Sequence, residues 1–145
     1  MDWGFVFSAI NIIAMIGWAL LAFTPRGPKI HALVFYLGIG LLALIYSVGL
    51  ISLVTSEGGL DFGAFGSIEG IRGLFGSDAG IVIGWTHYLA FDLFVGQWIA
   101  KDADHKKISR LVQLPILFLT LMAGPLGLFA WMIIREPAAR RAARG

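Results

Sequence analysis

The chain contains no cysteine. That excludes structural disulfides, thiolate metal sites and a cysteine nucleophile, and leaves the compartment open. Charge is scarce as well, with Asp, Glu, Lys and Arg making up 14% of 145 residues. A disordered chain needs the opposite balance, and an ordinary soluble domain carries about a quarter charged residues. No basic face is interleaved with stacking aromatics, so nucleic acid is not an expected partner. The opening Met1-Asp2-Trp3-Gly4 lacks a basic stretch, a small-residue cleavage site and the Arg- and Ser-rich character of a transit peptide. The first apolar segment is therefore expected to be retained.

What remains is hydrophobic: 58% of the residues are apolar or aromatic, and the mean hydropathy is +0.83. Four apolar segments stand out, at about 5–23, 30–54, 80–100 and 108–134. A bilayer-spanning helix needs about 20 residues, and an open sheet cannot satisfy its backbone in hydrocarbon. The expectation is one all-α domain, a polytopic membrane protein of four transmembrane helices, with a basic tail at 135–145. Thr24-Pro25-Arg26-Gly27-Pro28 stops the first helix. The second connection, 55–79, is long and rich in glycine, and carries Phe62, Phe65, Leu74 and Phe75. It reads as a lid or interfacial segment that dips its aromatics among headgroups, or as a linker whose aromatics pack on helix ends.

Four crossings would place both termini and the long loop on one face, with Arg72, Arg135, Arg140, Arg141 and Arg144. Arg26, Lys29, Lys101, Lys106, Lys107 and Arg110 would lie on the other. That division is too even for the positive-inside rule to orient the chain.

Asp92 is the unusual residue. It lies inside the third apolar segment, where an acid costs ~2.5–3.5 kcal/mol on insertion scales and marks a functional site by default. Gly84, Tyr88, Asp92 and Gly96 share one i, i+4 stripe. The small residues admit either a close helix or a ligand, and Tyr88 can reach the carboxyl group. A neutral carboxylic acid in a dry site is a usable general acid. The alternative is a packing role for Asp92, bonded to Asn11, Tyr46, Ser47, Gln113 or Thr120.

His87 lies ~140° around the helix from Asp92. That spacing is unlike the i, i+4 pair of a metal site on one helix face. If the two act together, substrate or water must lie between them. Asn11 and Gln97 read chiefly as packing groups. Trp98 and Trp131 read as interface anchors. Asp102 and Asp104 read as part of a solvated charge cluster with Lys101, Lys106 and Lys107. In the fourth segment, Pro115 and Gly124-Pro125-Leu126-Gly127 are expected to kink the helix.

Trp85-Thr86-His87-Tyr88-Leu89-Ala90-Phe91-Asp92-Leu93-Phe94, followed by Gln97 and Asp102, resembles the abscisic-acid-deficient-four-like family of small four-helix membrane proteins. Gly124-Pro125-Leu126-Gly127 resembles that family's turn in the last helix. The resemblance implies carotenoid chemistry, since plant members are linked to making neoxanthin from violaxanthin by epoxide opening. By position, the resemblance makes Asp92 and His87 catalytic; beside them, Tyr88, Trp85, Gly96, Gln97 and Asn11 are the candidate substrate-binding residues. The partners are a carotenoid or similar lipid-soluble molecule and membrane lipid, with a homo-oligomer left open. No cofactor or metal is expected. Without a plant-type targeting segment, the implied location is a bacterial cytoplasmic membrane. A carotenoid-binding or accessory protein without turnover is the second reading, and oxidative carotenoid cleavage is the third.

Overall fold

The structure is a computed structural model and describes residues 2–56 and 58–142. Among these residues every regular element is helical. We number six α-helices: α1 (Trp3–Phe23), α2 (Pro28–Thr55), α3 (Ile68–Leu74), α4 (Asp78–His105), α5 (Arg110–Met122) and α6 (Gly124–Ala142). Three of them, α1, α2 and α4, are long and apolar enough to cross a membrane. They alternate in direction, so the Asp2 and Asp78 ends share one face of the bundle with Thr55. Arg26 and His105 share the other face.

Helix α4 is the centre of the bundle, and close packing of small residues holds it there. The Leu93 side chain wedges between Gly17 of α1 and Gly38 of α2, where added Cβ atoms would meet it at 2.7 and 3.1 Å. Gly49 of α2 receives Ile83 in the same way. Without a hydrophobic drive between helices in lipid, such close approach supplies the dispersion contact that joins them. A π-helical stretch at Val34–Gly40 turns α2 so that Gly38 meets α4.

The fourth apolar segment is not the single span expected at 108–134. Helix α5 stops at Met122, Ala123 leaves helical geometry (φ −153°, ψ 75°), and α6 starts at Gly124. The cause is Pro125. An unbroken helix would need the amide hydrogen that proline lacks, and would crowd its ring against the preceding turn. Placed in the first turn of a new helix, the missing donor costs nothing. Gly127 then lies against the Thr120 backbone, so closely that a Cβ would collide with it.

The chain reverses at this break. Gln113, early in α5, reaches Asp104 at one end of α4. The break at 122–124 lies against Tyr88 and Asp92 at mid-helix. Trp131 and Arg135 of α6 return to Asp102. Helices α5 and α6 thus form a re-entrant hairpin. The 13 residues of α5 rise about 20 Å against a hydrocarbon core of ~30 Å.

The hairpin carries the tail to the face that holds Arg26. Arg26, Lys29, Lys101, Lys106, Lys107, Arg110, Arg135 and Arg140 gather there, while Arg72 lies on the opposite face with Asp2, Asp61, Glu69 and Asp78. The even division expected from four crossings is therefore corrected. Of the basic tail, residues 143–145, including Arg144, lie outside the described residues.

The long connection is partly ordered. Asp61 and Ser67 cap a short 3-10 turn (Phe62–Gly66) and α3 respectively, and Ser77 caps α4. Gly58 and Gly59 take positive φ of 97° and 58°, a region that side chains rarely adopt.

Candidate functional site

Asp92 sits at the midpoint of α4 and is 7% exposed. The tip of the re-entrant hairpin presses on it: a Cβ on Gly124 would collide with the Asp92 carboxyl oxygen Oδ1. Glycine is required there for the backbone to approach. Asp92 Oδ2 is buried and has no hydrogen-bond partner among the described residues. Tyr88, one turn earlier, lies beside the carboxyl group and donates its hydroxyl hydrogen to the Met122 carbonyl at 3.0 Å. That bond also satisfies one of the carbonyls freed where α5 ends. With its proton committed to Met122, the Tyr88 oxygen is left as an acceptor facing Asp92. The side-chain partners considered for Asp92 from the sequence are engaged elsewhere. Thr120 donates to Ile116 O, Ser47 to Ala43 O, and Gln113 to Asp104 and Ile108 O. Asn11 bonds Phe7 O and Trp85, and the Tyr46 ring packs on His87.

Toward the long-loop face, the surface beyond the hairpin tip is aromatic. The Trp85 and Tyr88 rings stack with centroids 5.1 Å apart, and Phe7 lies 6.4 Å from Trp85. Trp85 Nε1 donates to Asn11 Oδ1 at 3.2 Å, which ties α1 to α4. Asp92, Tyr88, Trp85 and Asn11 therefore form one chain of contacts. The hairpin ends at the midpoint of α4 and leaves the side of these contacts open, where Trp85 is 38% exposed.

The other expected site residues lie elsewhere. His87 points away from Asp92, packing on Tyr46 and Phe91 with centroids 5.6 and 4.7 Å away. It lines an apolar cleft of about 250 Å³ with Tyr46, Leu50, Phe65, Phe75 and Gly84. The aromatics of the long connection thus pack over the helix ends. Gly96 has no room for a ligand, because the Trp18 ring fills the space a Cβ would need. Gln97 is buried and donates to His31 O at 2.6 Å, holding α4 to α2.

Two expectations for the polar end are corrected. Trp131 is not an interface anchor: it is 0% exposed and donates to Asp102 Oδ2 at 3.1 Å. Asp102 is not solvated. It accepts from Arg135 Nε at 2.7 Å, Arg135 Nη2 at 3.2 Å and Lys106 Nζ at 2.5 Å, so both of its oxygens are occupied. Hydrogen bonding to Asp102 raises the Arg135 pKa above its ordinary value. Trp98 keeps its exposed position, with Arg135 5.6 Å above its ring. Arg26, in the connection after α1, is fully buried at its side chain, bonded to Asp104 at 2.8 Å and to Gln113. The sequence signals for these groups were the Gly124-Pro125 pair, which permits reversal, and an arginine wedged between Pro25 and Pro28.

Among the described residues no three His, Cys, Asp or Glu side chains gather in a metal-binding group. Three membrane-length apolar helices, joined by a re-entrant hairpin whose tip meets a mid-span acid, make the chain a polytopic integral membrane protein. It belongs to the ABA DEFICIENT 4-like family, which matches residues 5–131 and is linked to neoxanthin and carotenoid metabolism. No curated protein and no solved structure matches it.

Proposed function

We propose that the chain is a membrane enzyme that isomerises a carotenoid or related isoprenoid, with Asp92 as its proton donor. The observation that carries this reading is the Asp92 carboxyl group, buried at mid-span with one oxygen free of partners among the described residues, at the only described break in a membrane-embedded helix. Asp92 donates its proton to an epoxide oxygen. One C–O bond breaks, its electron pair goes to oxygen, and a hydroxyl and a carbocation result. A proton lost from the adjoining carbon forms the new double bond and returns to the Asp92 carboxylate. Atoms balance, mass is unchanged, and no redox partner is required. The N-terminus of α6 faces the carboxylate left after the first step, where the positive end of a helix dipole favours the anion. The Tyr88 oxygen accepts from the carboxylic acid before it. The stacked Trp85 and Tyr88 rings supply faces that attract a cation.

Substrate reaches Asp92 from the side, over Trp85 and Asn11, without crossing water. His87, on the far side of α4, serves a distant part of the polyene rather than the reacting carbon. The basic end of the bundle faces the cytoplasm by the positive-inside rule, in a bacterial cytoplasmic membrane. The cleft at His87 also supports a second reading, a carotenoid-binding protein without turnover. Oxidative cleavage has less support, because His31 and His105 lie at the opposite end of the bundle from His87.

The test is pigment analysis by chromatography and mass spectrometry. The chain and its Asp92→Asn variant are expressed in bacteria that accumulate β-carotene, zeaxanthin or violaxanthin. The expected result is a new pigment of unchanged mass, lost in the variant. Bound but unaltered pigment would select the binding reading, and shorter fragments would select cleavage.

A further inference from the structure

The end of the bundle away from the long loop holds a second polar feature that the proposed chemistry does not use. Arg26, Gly27, Pro28, His31, Phe35, Tyr36 and Lys101 line a cleft of about 520 Å³. The Arg26 side chain is 0% exposed, and its Nε and Nη1 have no hydrogen-bond partner among the described residues. Asp104 and Gln113 engage only Nη2. Burial lowers the Arg26 pKa and Asp104 opposes that shift, yet a guanidinium stays charged in a protein. His31 Nδ1 is likewise buried without a partner among the described residues. Lys101 adds a second fixed cation. The 28-residue helix α2 starts here from Gly27 without a side-chain cap, so its first amide hydrogens face the same end. Phe35 and Tyr36, both exposed, form an apolar wall beside these donors.

Uncompensated donors at a helix N-terminus, with an arginine fork and a lysine, fit a phosphate oxyanion. The apolar wall fits a group attached to a hydrocarbon. We infer that this cleft binds a phosphate group at the membrane surface, independently of the chemistry at Asp92. The phosphate comes either from the headgroup of an anionic phospholipid or from free phosphate in solution.

The test uses the full chain in detergent after delipidation. Native mass spectrometry reads retention of phosphatidylglycerol against phosphatidylcholine of the same acyl chains. Thermal unfolding in inorganic phosphate, against chloride at equal ionic strength, reads the soluble source. The variants are Lys101→Gln and His31→Gln, which leave the Arg26–Asp104 pair and the Gln97 bond to the His31 backbone in place. Phosphatidylglycerol is expected to be retained preferentially, with about fivefold loss of that preference in Lys101→Gln. A smaller loss is expected in His31→Gln, which removes a ring nitrogen rather than a charge, since burial and the neighbouring Lys101 and Arg26 disfavour a charge on the His31 ring. Preference for the lipid with no phosphate effect supports the site and assigns it to a headgroup. A rise in unfolding temperature with phosphate, lost in the variants, supports it with a soluble source. Equal retention of the two lipids with no phosphate effect would overturn it, as would effects that survive both substitutions.

Discussion

Helix α4 carries two carboxylates, Asp92 and Asp102, and they are opposites. Asp102, near the polar end, has both oxygens bonded, to Lys106, Trp131 and Arg135. It fastens the returning arm of the hairpin, and its charge is fully engaged in doing so. Asp92, about 15 Å deeper by helical rise, is the more buried in hydrocarbon yet keeps one oxygen without a partner among the described residues. Burial alone does not separate a structural acid from a reactive one. Unspent hydrogen-bonding capacity does, because a group whose lone pairs are all engaged cannot exchange a proton with a ligand.

The sharpest way to break this contrast is to neutralise each acid in turn. Asp92→Asn should lower pigment turnover by roughly 10²–10⁴, the usual worth of a positioned acid, while the unfolding temperature in detergent changes little. Asp102→Asn should do the reverse, lowering stability by about 2 kcal/mol through weakened charged hydrogen bonds while turnover per folded molecule persists. Equal loss of turnover in both variants, tracking loss of fold, would erase the distinction. A third substitution, Gly124→Ala, acts on both properties. Its methyl group must displace the Asp92 carboxyl, at roughly 1–3 kcal/mol of overpacking, and turnover should fall with it. Trp131→Phe removes one bond to Asp102 and keeps the buried ring, so a loss near 1 kcal/mol in thermal unfolding is expected, with pigment conversion intact.

The spans of α1, α2 and α4 were legible because each is an uninterrupted apolar run between polar or proline-rich stops. Asp92 was legible for the same reason, as an acid where acids are costly. The hairpin was not. Residues 108–134 have the length of a span, and Gly124-Pro125 is as compatible with a kink as with a reversal. The choice is made by Trp131 and Arg135 finding Asp102, contacts of 29 and 33 residues' separation that no local pattern encodes. Arg26 was opaque for a related reason: its burial depends on Asp104, 78 residues away. The separation of His87 from Asp92 was foreseeable from helical rotation. That Trp18, not a ligand, occupies the space at Gly96 depends on the register of α1 against α4.

Because the hairpin ends at the midpoint of α4, the two leaflets would meet different proteins. In the leaflet at the basic end, α5 and α6 thicken the bundle and cover the flank of α4 beyond Asp92. In the other, the hairpin does not cover the stacked rings of Trp85 and Tyr88, and Trp85 is 38% exposed. On the proposed function, an amphiphile with one oxygenated ring would bring that ring to Asp92 from the thin side. The thickness of the protein would then decide which leaflet supplies it.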